Sequence, residues 1–165
     1  MPPLPILIVG FCIFPFYGKL FYHHFMSTKY FGTYIERNFK IIKNTFLQEF
    51  KKAHIDITTD QWIILDLLYQ EDGVSQNHLA TKSAKDAPTT SRIIDLMCKK
   101  GLTERRKVEN DRRMHHIFLT KFGKDTYHKI LPIAEKLREQ GWGNLNDEDY
   151  ETFLRIMNQV YDNFK

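Results

Sequence analysis

Apolar side chains recur along most of this chain at steps of three and four. Phe31, Ile35, Phe39, Ile42, Phe46 and Phe50 trace one face of a long helix predicted over 27–53. A stripe this long and aromatic is more than one helix hides, so it is expected to pack on other helices, of this chain or of a second subunit. In "DITTDQWIILDLLYQEDG", Thr58 or Thr59 suits an N-cap, Trp62, Leu65, Leu68 and Tyr69 share a face, and Gly73 ends the helix. "SQNHLATKSA" reads as a short helix capped by Ser75, with Leu79 and Ala80 inward. After a turn at 85–87, Pro88 opens a helix that runs to Lys100 and stops at Gly101; a missing N–H costs little in a first turn. Its inward stripe is Thr90, Ile93, Ile94 and Met97, with Thr89, Ser91, Arg92 and Asp95 largely on the other side.

The period then changes. "LTERRKV" and "MHHIFLT" are strand-like runs around "ENDRR", where Asn110-Asp111 supplies turn chemistry. A helical pattern returns over 122–140, with Gly123 near its start and Pro132 within it as a candidate kink. Asn146 is placed to cap a last helix over 147–165, whose stripe is Tyr150, Phe153, Leu154, Met157, Val160, Tyr161 and Phe164. Asp147, Glu148 and Asp149 sit where the positive end of its dipole favours carboxylates. The expected fold is mainly α with a small β-hairpin wing. A winged helix-turn-helix lobe spans 57–121, and helices over 26–56 and 122–165 are left with apolar surface for dimerisation.

Residues 1–25 break this pattern. "PILIVGFCIFPFYGKLFYHHF" is almost wholly apolar or aromatic, yet too interrupted by Pro5, Pro15 and Lys19 for a membrane span of roughly 20 apolar residues. It also lacks the charged start and small-residue cleavage site of a signal peptide. The amphipathic pattern begins after Met26, which is the expected biological start. An extension packed on the dimer is the next reading and a membrane anchor the last.

Charge sharpens the picture where it is segregated. Residues 85–124 hold eleven Lys or Arg against five Asp or Glu, whereas residues 135–165 hold four against seven. The basic half is the helix–hairpin stretch, which suits either solvated faces or a nucleic-acid surface. The two cysteines, Cys12 and Cys98, have no disulfide or metal spacing and fit a reducing compartment. His115 and His116 are neighbours on a strand and point to opposite faces, so they do not readily share an ion. No nucleophile elbow, phosphate-cradling glycine loop or scaffolded acid pair appears, so no enzyme, cofactor or metal is expected.

The stretch "VSQNHLATKSAKDAPTTSRIIDLMCKKGLTERRKVENDRRMHHIFLTKFGKDTY" resembles the MarR family of prokaryotic transcriptional regulators. The likeness lies in a helix-turn-helix, a "KKGLTER" junction, an Asn-Asp-Arg-Arg wing tip and a "LTKFG" exit into the next helix, in that order. With the flanking helices it covers about 26–165. It implies a cytoplasmic homodimer, in a bacterium or archaeon, that binds a pseudo-palindromic double-stranded operator and is often released by a small ligand. Repression is the direction the family favours.

In that reading the helix from Pro88 enters the major groove. Thr89, Thr90, Ser91 and Arg92 touch DNA, although periodicity turns Thr90 toward the core. Ser75, Gln76 and Lys85 are further candidate contacts. The wing carries Arg112 and Arg113 to the adjacent minor groove, where narrow A·T tracts concentrate negative potential. Asp111 would be repelled by DNA and is expected to brace the wing by pairing with Arg105. A ligand pocket between the dimer helices and the lobe would draw on Tyr34, Trp62 and Tyr69, each of which is equally at home as plain core. The rival reading is a winged-helix module that binds protein and not DNA.

Overall fold

In the computed structural model, residues 30–108 and 111–165 are described, without the side chains of 108–114. The apolar extension over 1–25 and the expected helix start at 27–29 lie outside the described residues. The chain divides into two compact units at Ile41/Ile42. The described part of the first is the opening of helix α1 (Phe31–Lys52), where Phe31, Tyr34, Ile35 and Phe39 are all exposed.

The second unit runs from Ile42, and side-chain caps decide where its helices begin. Thr58 accepts from the Gln61 N–H at 3.2 Å while Gln61 Oε1 accepts from the Thr58 N–H at 3.1 Å, a reciprocal box that starts α2 (Thr59–Gln70). Ser75 caps α3 (Gln76–Lys82) through the His78 N–H. Asp86 caps α4 (Ala87–Lys99), Thr120 caps α5 (Lys121–Trp142), and Asn146 with Asp149 forms a second box at α6 (Asp147–Asn163). Pro132 lies inside α5, which continues past it.

Three strands complete the unit: β1 (Val74–Ser75), β2 (Thr103–Val108) and β3 (Asp111–Leu119), ordered β1-β3-β2 and antiparallel throughout. The hairpin is longer than its sequence suggested. Asp111, Arg112 and Arg113 belong to β3; Asp111 lies opposite Val108, and the register shifts between Lys107 and Val108, where β3 runs from His115 to Asp111. The expected turn residue Asn110 lies outside the described residues. β1 was not expected; Val74 pairs with Ile117 and Ser75 with His116, which joins the start of α3 to the wing.

One core serves all these elements. Phe50, Ile64, Leu65, Leu68, Leu79, Ile94, Met97, Leu102, Ile117 and Ile130 are each at most 1% exposed. Phe50 alone of the predicted α1 stripe is buried, and α6 buries no residue at all. Gly73 ends its segment two residues beyond the α2 C-cap Glu71, at φ +74°, and a side chain there would strike Phe118.

Gly123 is demanded by close approach and not by backbone angle. A Cβ there would sit 2.0 Å from the Leu102 carbonyl oxygen. Thr120 fixes the contact by accepting from the Gly123 N–H at 2.9 Å while its own N–H donates to Leu102 O at 3.1 Å. Gly123→Ala is therefore expected to lower unfolding stability by about 3 kcal/mol, the upper part of the overpacking range. Gly141→Ala, with nothing within 4 Å of the new Cβ, should leave the urea midpoint unchanged or raised. Equal midpoints for the two variants would contradict the packing at Leu102.

Candidate nucleic-acid interface

The site is built on α4, whose two faces differ sharply. Thr90, Ile94 and Met97 are each 0% exposed, whereas Thr89, Arg92, Leu96 and Lys99 are exposed. The helix has 13 residues, so it is about 20 Å long, and Lys99 lies in its last turn, where a cation suits the dipole.

Burial corrects one expected DNA contact. Thr90 has no accessible surface, and its hydroxyl donates to the Asp86 carbonyl at 2.9 Å, so it is part of the core and not of the reading surface. Thr89 remains outside, but its groups are engaged. Its N–H donates to Asp86 Oδ1 at 2.7 Å and its hydroxyl to Asp86 Oδ2 at 2.9 Å. These two bonds hold the Asp86 carboxyl below the usual aspartate value. The start of α4 thus carries its own anion, the Asp86 carboxylate. Ser91 is half-buried and Arg92 exposed. Among the described residues Arg92 has no hydrogen bond or ion pair, which leaves its five donors available.

Lys85 is the second correction. Its ammonium lies 2.9 Å from Asp60 Oδ1 and only 21% of its side chain is exposed, while Lys43 approaches the other oxygen at 3.3 Å. Lys85 therefore ties the turn before α4 to the start of α2 and does not stand free for phosphate. Burial pushes the Asp60 carboxyl up, but Lys85 and Lys43 outweigh it and hold it below its ordinary value.

Ser75 and Gln76 do structural work too. Ser75 caps α3, and Gln76 Oε1 accepts from Arg105 Nη2 at 3.3 Å. The other Arg105 nitrogen donates to Asp95 of α4. Arg105 is thus fastened to α3 and α4. In the strand register Arg105 opposes Ile117 and Asp111, its expected partner, opposes Val108. The side chains of Asp111, Arg112 and Arg113 lie outside the described residues. At the base of the wing, Asp72 Oδ1 accepts from the Leu119 N–H at 2.8 Å and Arg106 lies 4.4 Å over the Phe118 ring.

Of the proposed pocket residues, Trp62 and Tyr69 come together through Tyr127, which stacks on them at 5.3 and 3.9 Å. Burial and the Asp66 carboxylate, 3.3 Å from its hydroxyl, push the Tyr127 phenol up. Tyr34 belongs to the first unit, where it is exposed and Arg37 lies 5.1 Å over its ring. A cavity of about 350 Å³ opens elsewhere, lined by His54, Ile57, Lys100, Leu102, Phe122 and Lys129 among others. It includes neither Trp62 nor Tyr69. Among the described residues no three His, Cys, Asp or Glu side chains gather as a metal site, and no helix is long and apolar enough to cross a membrane.

Sequence reasoning missed Asp60, Asp86 and Leu96, and it placed Asp95 on the outer side of the helix without its partner Arg105. Asp86 was legible, since an Asp before Ala-Pro is a cap signal. The partners of Asp60 and Asp95 are far along the chain and left no local trace.

The Asp60 contacts give a pH signature. A depressed carboxyl stabilises the fold above its unfolded value, near 3.8, and loses that contribution as pH falls through the lower folded value. Asp60→Asn is therefore expected to be less stable than the parent at pH 7, with the gap closing below about pH 4. A gap of constant size down to pH 2.5 in thermal melts would show that the two lysines contribute nothing.

Residues 57–115 match the family model described as the MarR family. The transcriptional regulator HosA of Escherichia coli is 23% identical over 105 residues, covering 64% of this chain and 78% of that protein. The crystal structure of the S. aureus MepR–DNA complex superposes with a TM-score of 0.74 at 23% identity, over 81% of this chain and 97% of that one. PcaV from Streptomyces coelicolor, solved with its natural ligand, gives 0.74 at 16% identity over 84% and 96%.

Proposed function

We propose that the chain is a MarR-family transcriptional regulator that binds double-stranded DNA sequence-specifically as a homodimer, a reading supported by the match of residues 57–115 to the MarR family model. The observation that carries this reading is the outer face of α4, where Arg92 stands exposed without a partner while the opposite face is sealed into the core. An arginine fork of this kind matches guanine O6 and N7 in the major groove. Ser91, Lys99 and the wing arginines Arg112 and Arg113 supply contacts around it. The DNA complex of MepR supports this use of the fold.

The dimer reading rests on apolar surface. Tyr150, Phe153, Ile156, Tyr161 and Phe164 are all 47% exposed or more along α6, and Phe31, Ile35, Phe39 and Ile42 are 39% exposed or more along α1. Exposed apolar residues along one helix mark an interface, and a two-fold dimer presents α4 twice. Residues 26–56 and 122–165 are assigned to dimerisation and 57–121 to the DNA-binding lobe. The protein represses from the cytoplasm of a bacterium or archaeon and is released by a small molecule, a reading supported by the ligand complex of PcaV.

Selection of bound duplexes from random DNA, with the full chain, tests the proposal. An inverted repeat with half-site centres about ten base pairs apart is expected. Failure to enrich any sequence at low salt would favour the protein-binding module instead. On the recovered duplex, Arg92→Ala should weaken binding at least tenfold, since a bidentate guanine contact contributes about 1–3 kcal/mol. Affinity should also fall steeply with salt, and less steeply once Arg112 and Arg113 are both alanine. Phe153→Asp should shift the chain from dimer to monomer in sedimentation; an unchanged dimer would place the interface elsewhere.

A further inference from the structure

Among the described residues of α3, α4 and the two wing strands, one large apolar side chain is exposed: Leu96, at 45%. It lies on the outer face of α4, one turn beyond Arg92, with Thr89 and Lys99 on the same side. The other exposed apolar residues of the second unit are mostly on α1, α5 and α6 or the segment between them, in the surface assigned to dimerisation. Leu96 does not belong to that set. Its face is otherwise polar or basic, and Arg92 beside it is unpaired among the described residues.

Within a major groove the donors and acceptors of base edges answer Arg92, but one base alone offers an apolar group, the C5-methyl of thymine. A leucine in that position loses water against a methyl and gains nothing from a guanine or adenine edge. Four helical residues advance about 6 Å along α4, which is close to two base-pair steps. Building on the DNA-binding reading above, we propose that Leu96 reads a thymine methyl in each half-site, about two base pairs from the guanine read by Arg92. Leu96 is thus a specificity-determining residue, and the half-site it selects contains guanine and thymine at that spacing.

The test replaces each thymine of the selected duplex, one symmetric pair at a time, by deoxyuridine, which removes only the methyl. Binding is measured with the full-length parent, Leu96→Ala and Leu96→Met. For the parent, one thymine pair should weaken binding about fifteen-fold when replaced, roughly four-fold for each methyl. Leu96→Ala should bind the thymine duplex more weakly by a similar factor and be indifferent to deoxyuridine there, and Leu96→Met should keep both affinity and sensitivity. Because Leu96 is half outside the fold, the three proteins should melt alike. A parent insensitive to deoxyuridine at every position overturns the inference. So does a Leu96→Ala protein as sensitive as the parent. If no duplex is bound at all, it is the DNA-binding reading that fails.

Discussion

The outer face of α4 depends on how the helix is held from behind. Ile94 and Met97 are wholly buried, and burying each contributes about 1.5–3 kcal/mol, so the helix cannot roll without exposing them. Thr90 adds direction to that burial by donating its hydroxyl to Asp86 O. With the inner face fixed, the outer face is fixed as well. Arg92 and Leu96 point outward because their neighbours at 90, 94 and 97 are committed to the core.

Around that anchor, charges near the helix are divided between fastening and display. Lys85 is bound to Asp60, and Arg105 to Asp95 and Gln76, so both brace the lobe. Such partly exposed pairs each contribute about 1 kcal/mol or less, and their value is geometric. They link α2, α3, α4 and β2 at points where no apolar contact would define a distance. Asp86, at the helix start, satisfies the Thr89 N–H there. Net basic charge over 85–124 therefore overstates the number of cations free to meet a phosphate.

Much of this fold was legible because its signals are local. The stripes at 90, 94 and 97, the caps Thr58, Ser75 and Asn146, and the alternation of Ile117 and Leu119 each lie within a few residues. What escaped was non-local. The two-residue strand Val74–Ser75 exists only because Ile117 and His116 lie beside it. The wing runs on to Asp111, which pairs with Val108 across a shift in register that no local pattern announces. Lys85 escaped for the same reason, since its partner Asp60 lies far back along the chain, whereas the burial of Thr90 was already legible in the stripe and its partner Asp86 lies one turn away. Leu96 was passed over because a leucine in a helix reads as core until its exposure is known.

The proposed dimer rests on the apolar residues exposed along α1 and along α6 among the described residues, and it would present α4 twice. The central claim is that the outer face of α4 meets guanine in the major groove, and methylation interference measures that directly. Methyl groups placed at guanine N7 of a bound duplex should block binding at one position in each half-site, two positions about ten base pairs apart. Binding indifferent to N7 methylation at every guanine would contradict it.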